Sequence, residues 1–521
     1  MSETETQAAK PTPVLSTKSP LDGKALEPVE ATPIARIAEL ARAAHEAQRA
    51  WAEQGPDQRA KTLAAVKDRV LDRAEAIAKV LHDELGKPET EALLSEVLPS
   101  ADVVDFWCAS VEEMLEPEDV ELDAMSYPGK RGVIRREPRG VVAVIMPWNF
   151  PVALPLRTIV PALLAGNAVV FKPSEVSPRA GKVVAELFEG LLPSGVFSLI
   201  QGGAEAGAAL CEADVDLVVF TGSVRAGRKV AHACAERLIP CSLELGGKDA
   251  AIVLGDARLE RAARGVVWGA IANAGQNCAA IERVYVEKKI ADAFCKEVEA
   301  VAKELRFKDD YGPLATEAQL GIVDAHVEGA KASEGAKVLV GGKKLGEGYG
   351  YAPTVIRVET DDLPLMRDET FGPVLPIRVV ADEEEAIALA NDSKYGLTAS
   401  VWTKDVARGQ RVAERLRAGV VTINNHAFTG ALPQAPWSGF GETGYGITNS
   451  PFALEALTRP RFVLVDKNRA LREVWWYPYT PVLRTIALSF AKLRSGTTPI
   501  FEKLGALFAL IGALPKRLFG G

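Results

Sequence analysis

The chain has 521 residues, a formal net charge of −8 and 48% hydrophobic residues. This length exceeds what one hydrophobic core accommodates, so we expect two or three domains. The acidic balance, without a long basic run in the body of the chain, argues against nucleic acid as a partner. Six cysteines without a CxxC pair do not form a disulfide framework, which favours reduced thiols in a cytoplasmic protein.

The first 20 residues are polar and rich in Thr, Ser, Pro and Glu. Their composition predicts disorder, and they lack the apolar core of a signal peptide. From Pro33 to Lys87, apolar residues recur at intervals that are typical of amphipathic helices. No stretch of the sequence reaches the ~20 apolar residues of a membrane-spanning helix.

From Gly140 onward, buried-strand patterns alternate with helical ones. The strand patterns include "GVVAVIMP", "NAVVFKPSE", "VDLVVFTGS" and "CSLELGGKDA". This alternation predicts an α/β fold with a parallel sheet covered on both faces, which binds ligands at the carboxyl ends of its strands. A second α/β region follows, with strands such as "RVYVEK", "KVLVGG" and "GVVTINN". Strand-like segments at 125–137 and 454–465 flank these regions, and they could pair with each other or with a partner subunit.

Cys278 differs from the other five cysteines because it lies among small and polar residues, in "NAGQNCAAIERV". A cysteine acts as a nucleophile in its thiolate form, which a polar setting favours. The small neighbours leave room for a ligand and place backbone N–H groups near the sulfur. The alternative interpretation is a buried structural cysteine.

A nucleophile also needs an oxyanion donor and often a base. Asn149, in "MPWNFP", follows a buried strand, so its side-chain amide should lie at the carboxyl end of the sheet. Its alternative role is that of an ordinary turn residue before Pro151. Glu244, in "LELGGK", is a lone carboxylate in an apolar strand, which suits it to take a proton from water. The alternative is a surface glutamate on an edge strand.

Two further strand ends have the chemistry of a cofactor site. "FTGSVRAG" places Gly222 and Ser223 where a helix begins, and free backbone N–H groups at a helix start attract phosphate. "FKPSE" ends a strand with Lys172 and Glu175, an amine and a carboxylate that could hold ribose hydroxyl groups. "GFGETG" matches the dinucleotide pattern GxGxxG but does not follow a strand, so we interpret it as a loop. We identify no metal-binding motif.

Together and in this order, these stretches resemble the aldehyde dehydrogenase superfamily of the hydrolytic type. The resemblance spans about residues 20–465 and includes "DYGPL", "RDETFGPVLP" and "NDSKYGLTASVWT". It implies NAD(P)-dependent oxidation of an aldehyde to a carboxylic acid. Cys278 would attack the aldehyde carbon, while Asn149 and the Cys278 backbone N–H hold the oxyanion. After hydride transfer to the nicotinamide, Glu244 would activate water to hydrolyse the thioester.

The same resemblance implies two doubly wound parallel-sheet domains with β oligomerisation arms. The cofactor-binding domain would comprise residues 21–118 and 139–245, and the catalytic domain 246–444. The arms, 119–138 and 445–466, would form a homodimer or a homotetramer.

The cofactor positions of the family correspond to Trp148, Lys172, Glu175, Gly222, Ser223, Glu369 and Phe371. By this resemblance, the tryptophan lines the cofactor groove and the lysine and first glutamate hold the adenosine ribose. The glycine and serine contact the pyrophosphate, and the last two residues lie at the nicotinamide ribose and ring. Glu175 would clash with a 2′-phosphate, which favours NAD over NADP.

The substrate positions depart from the common family pattern. After "AP" the chain reads "WSGFGETGYG", which places Trp437 at the expected mouth of the substrate tunnel. Arg157 matches an arginine that grips the carboxylate in succinate-semialdehyde dehydrogenases, but the second arginine of those enzymes is Ala272 here. Arg157 is therefore either a carboxylate ligand or a packing or ion-pair residue, and a long-chain, aromatic or carboxylated aldehyde remains open.

Residues 467–521 lie outside the family core and form a basic, aromatic tail. They contain nine Lys or Arg and two Asp or Glu, a charge of +7, so the rest of the chain carries −15. The uncharged run from Leu504 to Leu514 is too short to span a bilayer. With Trp475, Trp476 and Tyr477 it predicts peripheral membrane contact, and packing on the protein or disorder are the alternatives.

Two other function classes remain. In a CoA-acylating member of the superfamily, CoA rather than water would take the acyl group, but Glu244 provides the base of the hydrolytic type. In a non-catalytic relative, the residues of the reaction need not be present, whereas Cys278, Asn149 and Glu244 are all retained.

Overall fold

The computed structural model describes residues 13–124, 126–426, 428–470 and 473–518. The strands, in chain order, are β1 (Val14–Leu15), β2 (Val29–Glu30), β3 (Glu118–Val120), β4 (Lys130–Pro138), β5 (Val141–Ile145), β6 (Ala168–Lys172), β7 (Phe197–Leu199), β8 (Leu217–Thr221), β9 (Cys241–Glu244), β10 (Asp249–Val253), β11 (Ile281–Glu287), β12 (Lys337–Val340), β13 (Thr354–Val358), β14 (Val374–Val380), β15 (Thr398–Trp402), β16 (Val420–Ile423) and β17 (Thr458–Asp466).

The α-helices, in chain order, are α1 (Ile34–Glu53), α2 (Pro56–Asp72), α3 (Ala74–Leu85), α4 (Glu89–Ala92), α5 (Leu98–Met114), α6 (Ala153–Leu164), α7 (Pro178–Glu186), α8 (Ala204–Glu212), α9 (Val224–Glu236), α10 (Leu259–Ile271), α11 (Ala291–Glu304), α12 (Glu317–Lys331), α13 (Pro364–Arg367), α14 (Glu383–Asn391), α15 (Val406–Ala413), α16 (Ala453–Leu457), α17 (Pro481–Arg494) and α18 (Ile500–Leu518). A π-helix spans Leu93–Val97, and 3₁₀ helices span Ala272–Gly275, Phe428–Ala431 and Gly441–Thr443.

The first large sheet has five parallel strands in the order β7-β6-β5-β8-β9. Successive side chains of a strand point to opposite faces. On β5, Val142 and Val144 accordingly pack in one hydrophobic core, and Val141 and Ala143 pack in another. Because helices cover both faces, β5 is apolar along its whole length. The predicted parallel sheet with two covered faces is confirmed.

The second large sheet has seven strands in the order β12-β13-β14-β11-β10-β15-β16. Neighbouring strands are parallel, except that β12 and β13 are antiparallel. The connection between these two strands, residues 341–353, contains no helix. Parallel neighbours are usually joined by a crossover helix, so this connection returns the chain as an antiparallel pair. The sheet thus differs from a wholly parallel one at this edge.

The predicted site residues follow the carboxyl ends of neighbouring strands in the first sheet. Asn149 follows β5, Lys172 ends β6, Gly222 follows β8 and Glu244 ends β9. Parallel strands present their carboxyl ends along one edge of the sheet, where α/β proteins bind ligands. The topology therefore places these residues along a common edge.

The chain divides into two compact units. The main unit comprises the residues up to Glu116 and Arg136–Arg459, and it contains both large sheets. The second unit comprises Pro117–Arg135 and the residues from Pro460 onward.

In the second unit, α17 and α18 pack against each other through Ile486, Leu510 and Ala513. The buried Arg517 donates hydrogen bonds to the carbonyls of Val474 (3.1 Å) and Pro478 (3.0 Å). The apolar run 504–514 lies within α18. None of the helices in the described residues combines the length and the apolar character that crossing a bilayer requires.

Two predictions on the edges of the fold were wrong. Disorder was predicted over residues 1–20, but Val14–Leu15 pairs with Val29–Glu30 in an antiparallel ladder. Residues 1–12 lie outside the described part of the chain. Composition alone misses this pairing, because the partner strand supplies the order. The strand predicted from Leu454 begins at Thr458, since the preceding residues form α16 and pack in a core of the main unit.

Candidate active site

Cys278 lies at the end of a tight loop between α10 and β11. Asn273, Ala274 and Gly275 have φ angles of 55°, 54° and 70°, three successive residues in the left-handed region. The Asn273 side-chain amide donates to the Gln276 carbonyl (2.9 Å), and the Gln276 amide donates to the Asn273 carbonyl (3.1 Å). These reciprocal bonds fix an unusual backbone path, which sets the position of the sulfur.

Two glycines permit the close approach of three segments around this loop. A Cβ atom on Gly275 would lie 2.0 Å from the Gly372 carbonyl oxygen. A Cβ atom on Gly247 would lie 2.3 Å from the Cys278 carbonyl oxygen. Any side chain at either position would collide with backbone. The glycines of "GQNC" and "LELGGK" are therefore needed where these segments meet "ETFGP".

Asn149 is buried and is held by its backbone. Its carbonyl accepts hydrogen bonds from Lys87 Nζ (3.1 Å) and from Asn273 Nδ2 (2.9 Å). Its side-chain Oδ1 is buried and has no hydrogen-bond partner among the described residues. The structure thus connects Asn149 to the Cys278 loop through Asn273.

A buried ion pair supports the turn that carries Asn149. Lys87 Nζ lies 2.6 Å from Glu96 Oε1, and both side chains are inaccessible to solvent. The other carboxylate oxygen, Glu96 Oε2, accepts hydrogen bonds from the backbone N–H groups of Val152 (3.1 Å) and Ala153 (2.9 Å). The ion pair therefore stabilises the "WNFP" turn through hydrogen bonds from Lys87 to the Asn149 carbonyl and from the N–H groups after the turn to Glu96.

Replacing Glu96 with glutamine is expected to lower the free energy of unfolding by about 3–5 kcal/mol, because Lys87 would remain buried without a countercharge. Urea denaturation followed by circular dichroism measures the change. The matched control is Glu89→Gln at an exposed position of α4, where we expect a change within about 0.5 kcal/mol. Equal effects of the two substitutions would contradict a structural role for this pair.

Glu244 is buried and pairs with Arg157. Arg157 Nη2 donates to Glu244 Oε2 at 2.9 Å, and the Thr448 hydroxyl donates to Glu244 Oε1. The Arg157 guanidinium also lies over the Trp437 ring, 5.6 Å from its centroid, and Trp437 packs near Cys278. The structure thus connects the predicted base to the predicted nucleophile through two side chains. Of the two roles left open for Arg157, this geometry matches the ion-pair residue.

The protonation of the site depends on burial. Burial, and secondarily the nearby Glu244 carboxylate, raises the pKa of Cys278 to about 12. Burial lowers the pKa of His426 to about 4. Its Nε2 faces the Ala279 carbonyl at 2.7 Å, and a carbonyl only accepts, so Nε2 carries the proton of the neutral ring. His426 therefore supports the backbone beside Cys278 and is a poor base at neutral pH.

The residues predicted to bind adenosine and pyrophosphate lie at the carboxyl ends of β6 and β8. Lys172 is buried, and its Nζ lies 3.3 Å from Glu175 Oε2. The N–H of Gly222 donates to the Glu244 carbonyl (3.0 Å). Ser223 is the N-terminal cap of α9, the first turn of which has backbone N–H groups without helical acceptors.

The residues predicted to lie at the nicotinamide are also close together. Glu369 Oε1 accepts a hydrogen bond from the Gly247 N–H (3.1 Å), and burial raises the pKa of Glu369 to about 8. The rings of Trp148 and Phe371 meet edge to face, with centroids 5.6 Å apart. The structure therefore brings the "WNFP" and "ETFGP" segments into contact.

A cavity of about 640 Å³ adjoins Cys278. Its wall includes Arg157 and Trp437, the two residues predicted at the substrate, together with Phe150 and Leu154. The described residues contain no group of three or more His, Cys, Asp or Glu side chains that could hold a metal ion.

The sequence interpretation missed five residues that shape the site, namely Lys87, Glu96, Asn273, His426 and Thr448. Asn273 lies within the same quoted stretch as Cys278, and its position was the available signal. Glu96 is a charged residue among mainly apolar neighbours, a weak signal of burial, whereas Lys87 lies among charged residues that give no such signal. Thr448 and His426 contact partners 204 and 147 residues away, which no local pattern reveals.

Comparisons with known proteins define the relationship. A family model described as the aldehyde dehydrogenase family matches residues 6–463. The chain belongs to the aldehyde dehydrogenase family. It is thus an oxidoreductase that oxidises an aldehyde with a nicotinamide cofactor, and the resemblance seen in its motifs is confirmed.

Two sequence relatives and one solved structure illustrate the similarity. A 4,4'-diapolycopene aldehyde oxidase of Methylomonas sp is 36% identical over 467 residues, covering 89% of this chain and 88% of the relative. A Mycobacterium ulcerans protein, named provisionally as a succinate-semialdehyde dehydrogenase (NADP(+)), is 35% identical over 85% of this chain and 88% of its own. A betaine aldehyde dehydrogenase variant from Staphylococcus aureus, solved with NAD+, has a TM-score of 0.84 and 30% identity, covering 89% of this chain and 95% of that one.

Proposed function

We propose that the protein oxidises an aldehyde to a carboxylic acid through a thiohemiacetal and a thioester on Cys278, with NAD as the preferred cofactor. The observation that carries the proposal is the chain of contacts from Glu244 through Arg157 and Trp437 to Cys278, the last three of which line one cavity. Asn149 is tied to the same loop through Asn273. These are the groups that nucleophilic acyl chemistry needs, namely a nucleophile, an amide donor and a base.

In the first stage, Cys278, whose raised pKa keeps it a thiol at rest, loses its proton to solvent. The resulting thiolate attacks the aldehyde carbon and the carbonyl electrons move to oxygen. The Asn149 side-chain amide and the Cys278 backbone N–H donate hydrogen bonds to this oxyanion. A nicotinamide held by these residues would supply the acceptor for the hydride that leaves the carbon. Collapse of the oxyanion leaves an acyl group on Cys278 as a thioester.

In the second stage, Glu244 takes a proton from a water molecule that attacks the thioester carbon. The carbon–sulfur bond then breaks, which releases the acid and returns Cys278 as a thiolate. The bonds from Arg157 and Thr448 hold the carboxylate in place for this step.

The overall reaction is tested by measuring NADH and acid together. We expect one NADH and one carboxylic acid for each aldehyde consumed, and an acyl group on the Cys278 peptide after rapid acid quenching. An acyl group that reaches product only when CoA is present would contradict the hydrolytic route.

The residues at the first sheet fit a nicotinamide dinucleotide. An amine and a carboxylate 3.3 Å apart, Lys172 and Glu175, stand at a strand end where ribose hydroxyl groups need a donor and an acceptor. The first turn of α9, which follows the N-cap residue Ser223, provides backbone N–H groups for a pyrophosphate. Glu369, bonded to the Gly247 N–H, is available to a second ribose. We infer NAD rather than NADP because the Glu175 carboxylate would repel a 2′-phosphate.

Replacing Glu175 with glutamine is expected to raise the ratio of kcat/KM for NADP to kcat/KM for NAD by about tenfold or more, since contact between like charges costs several kcal/mol. Initial rates with both cofactors measure this ratio. Glu189→Gln, an exposed position beyond α7, is the matched control and should leave the ratio unchanged. A ratio that stays at the wild-type value in Glu175→Gln would show that another group selects the cofactor.

We infer that the protein forms a homodimer or homotetramer through β17. In the described residues β17 lies at an edge of the three-stranded sheet β17-β4-β3, with Phe462 and Leu464 exposed. An edge strand has unpaired backbone groups that a second copy of the same strand can satisfy. Light scattering on the purified protein measures the assembly, and a monomer at micromolar concentration would contradict it.

We also propose the domain limits of the chain. The cofactor-binding domain comprises residues 21–118 and 139–245, the catalytic domain comprises 246–444, and the arms comprise 119–138 and 445–466.

We further propose that the tail makes peripheral contact with a membrane. Phe501 and Phe508 of α18 are 82% and 71% exposed, while Ala506 and Leu510 are buried. An apolar helix face with basic residues at its end, Lys516 among them, is typical of interfacial helices. Co-sedimentation with anionic vesicles tests this contact, and protein that remains in the supernatant would contradict it.

A further inference from the structure

The cavity at Cys278 is large and mainly apolar. Its volume of about 640 Å³ lies within the range of pockets that enclose drug-sized ligands. A two- or three-carbon aldehyde would leave most of that space unfilled. The apolar part of the wall includes Val103, Phe150, Leu154, Val267, Ile271 and Trp437.

The charged groups of the wall do not favour a carboxylated substrate. Arg157 is engaged by Glu244 at 2.9 Å, so gripping a substrate carboxylate would leave Glu244 buried without its partner. Glu91 also lines the cavity, and burial raises its pKa. The cavity wall also includes three solvent-exposed charged residues, Arg264, Asp309 and Asp310, which we call the rim.

Those rim charges are already paired within the protein. Arg264 lies 3.7 Å from a Glu304 oxygen, and Arg306 lies within 3.3 Å of Asp309 and 3.0 Å of Asp310. Among the three charged side chains that line the rim, two are acidic. The rim therefore offers no surplus positive charge to a second carboxylate.

Three apolar side chains of the cavity wall are exposed to solvent. Leu94 is 64% exposed, Trp268 is 50% exposed and Phe428 is 42% exposed. Exposed apolar side chains that are grouped at one cavity mark a surface that a ligand or partner covers. A substrate that reaches Cys278 and extends past these residues would remove them from water.

We propose that the substrate is an aldehyde with an extended, uncharged hydrocarbon body, rather than a short aldehyde or a semialdehyde with a terminal carboxylate. This substrate class rests on the proposed function of Cys278, because the aldehyde carbon must reach the thiol while the hydrocarbon body fills the cavity. The covalent steps are those of the proposed reaction, and no further reactant is needed.

The first test is a series of linear saturated aldehydes from propanal to decanal, with succinate semialdehyde beside butanal. Each added methylene that is buried in the cavity is expected to raise kcat/KM by about fourfold, which corresponds to about 0.8 kcal/mol. Butanal and succinate semialdehyde have the same number of carbon atoms and differ in the terminal carboxylate. We expect kcat/KM for butanal to exceed that for succinate semialdehyde at least several-fold.

The second test alters the apolar entrance, by which we mean the exposed side chains Leu94, Trp268 and Phe428 of the cavity wall. Leu94→Ser combined with Trp268→Ser is expected to flatten the dependence of kcat/KM on chain length, because these side chains contact the far end of the substrate. Both positions are exposed, so the substitutions should leave folding intact, which the unfolding midpoint verifies. Ile322→Ser, on the exposed face of α12 and outside the cavity wall, is the control and should keep the wild-type dependence.

The outcomes separate this inference from the proposed function. Turnover without a chain-length dependence, or with succinate semialdehyde preferred over butanal, would overturn the substrate class while the chemistry of Cys278 stands. A double variant with the wild-type dependence would likewise overturn the role of the entrance. Absence of NADH formation with every aldehyde would overturn the proposed function itself.

Discussion

Replacing Cys278 with alanine is expected to lower kcat/KM for any aldehyde substrate by about 10⁵-fold or more, because loss of an enzymatic nucleophile has effects of this order. The remaining groups can bind the aldehyde and polarise its carbonyl, but no thiohemiacetal forms. Without that intermediate, there is no tetrahedral oxyanion whose oxygen electron pair can expel hydride from the carbon. NADH formation followed by absorbance measures the loss, and nucleotide binding followed by tryptophan fluorescence should persist.

Cys108→Ala is the matched control for this substitution. Burial raises the pKa of Cys108 to about 12, as it does for Cys278, but Cys108 lies on α5 and does not line the cavity. The two thiols thus share an ionisation behaviour and differ in location. We expect the Cys108 variant to retain wild-type turnover. A Cys278 variant that kept more than about a tenth of the wild-type rate would show that another group attacks the aldehyde.

Replacing Glu244 with glutamine is expected to lower the steady-state rate by about 10²–10⁴-fold while leaving one rapid turnover intact. Glutamine has nearly the same shape as glutamate, but it cannot take a proton from water. Hydride transfer precedes that step, so NADH should appear in a burst of about one equivalent per subunit, followed by a slow phase. Stopped-flow absorbance resolves the two phases, and mass spectrometry of the quenched protein detects the acyl group.

The same variant should change the ionisation of the nucleophile. The Glu244 carboxylate contributes to the raised pKa of Cys278, so removing its charge lowers that pKa. Alkylation by iodoacetamide, which requires the thiolate, should then reach half its maximal rate at a lower pH than in the wild type. Glu236→Gln, at an exposed end of α9, serves as the control. A reduced steady-state rate without a burst would place Glu244 before hydride transfer and contradict its role in hydrolysis.

The proposed nucleophile, amide donor and base could be singled out from sequence because each lies in a short local pattern. Cys278 is framed by small and polar residues, and Asn149 and Glu244 lie after or at the end of apolar strands. The alternation of strands and helices also indicated the sheets that bring the strand ends together. These features depend only on residues that are neighbours along the chain, and such local patterns can be seen in the sequence.

The contacts that hold those residues in place could not be predicted in the same way. The Arg157–Glu244 pair joins residues 87 positions apart, and Lys87 reaches Asn149 over 62 positions. Taken alone, each charged partner resembles an ordinary solvent-exposed residue. The antiparallel pairing of β12 and the strand at Val14–Leu15 were not predicted for the same reason, since strand pairing depends on two segments that are separated in sequence. Arg157 shows the consequence, because two roles were open until its partner was known.

The edge strand β17 also bears on how a newly made chain avoids aggregation. Its sequence "TRPRFVLVD" exposes Phe462, Val463, Leu464 and Val465 along a sheet edge. A short, apolar, solvent-exposed strand of this kind is a template for indiscriminate strand addition. Pro460 lacks an N–H and lies between two arginines. The start of the strand therefore resists the addition of another strand. A newly made chain is therefore protected at one end of this strand, while the apolar end stays open to pairing with another strand.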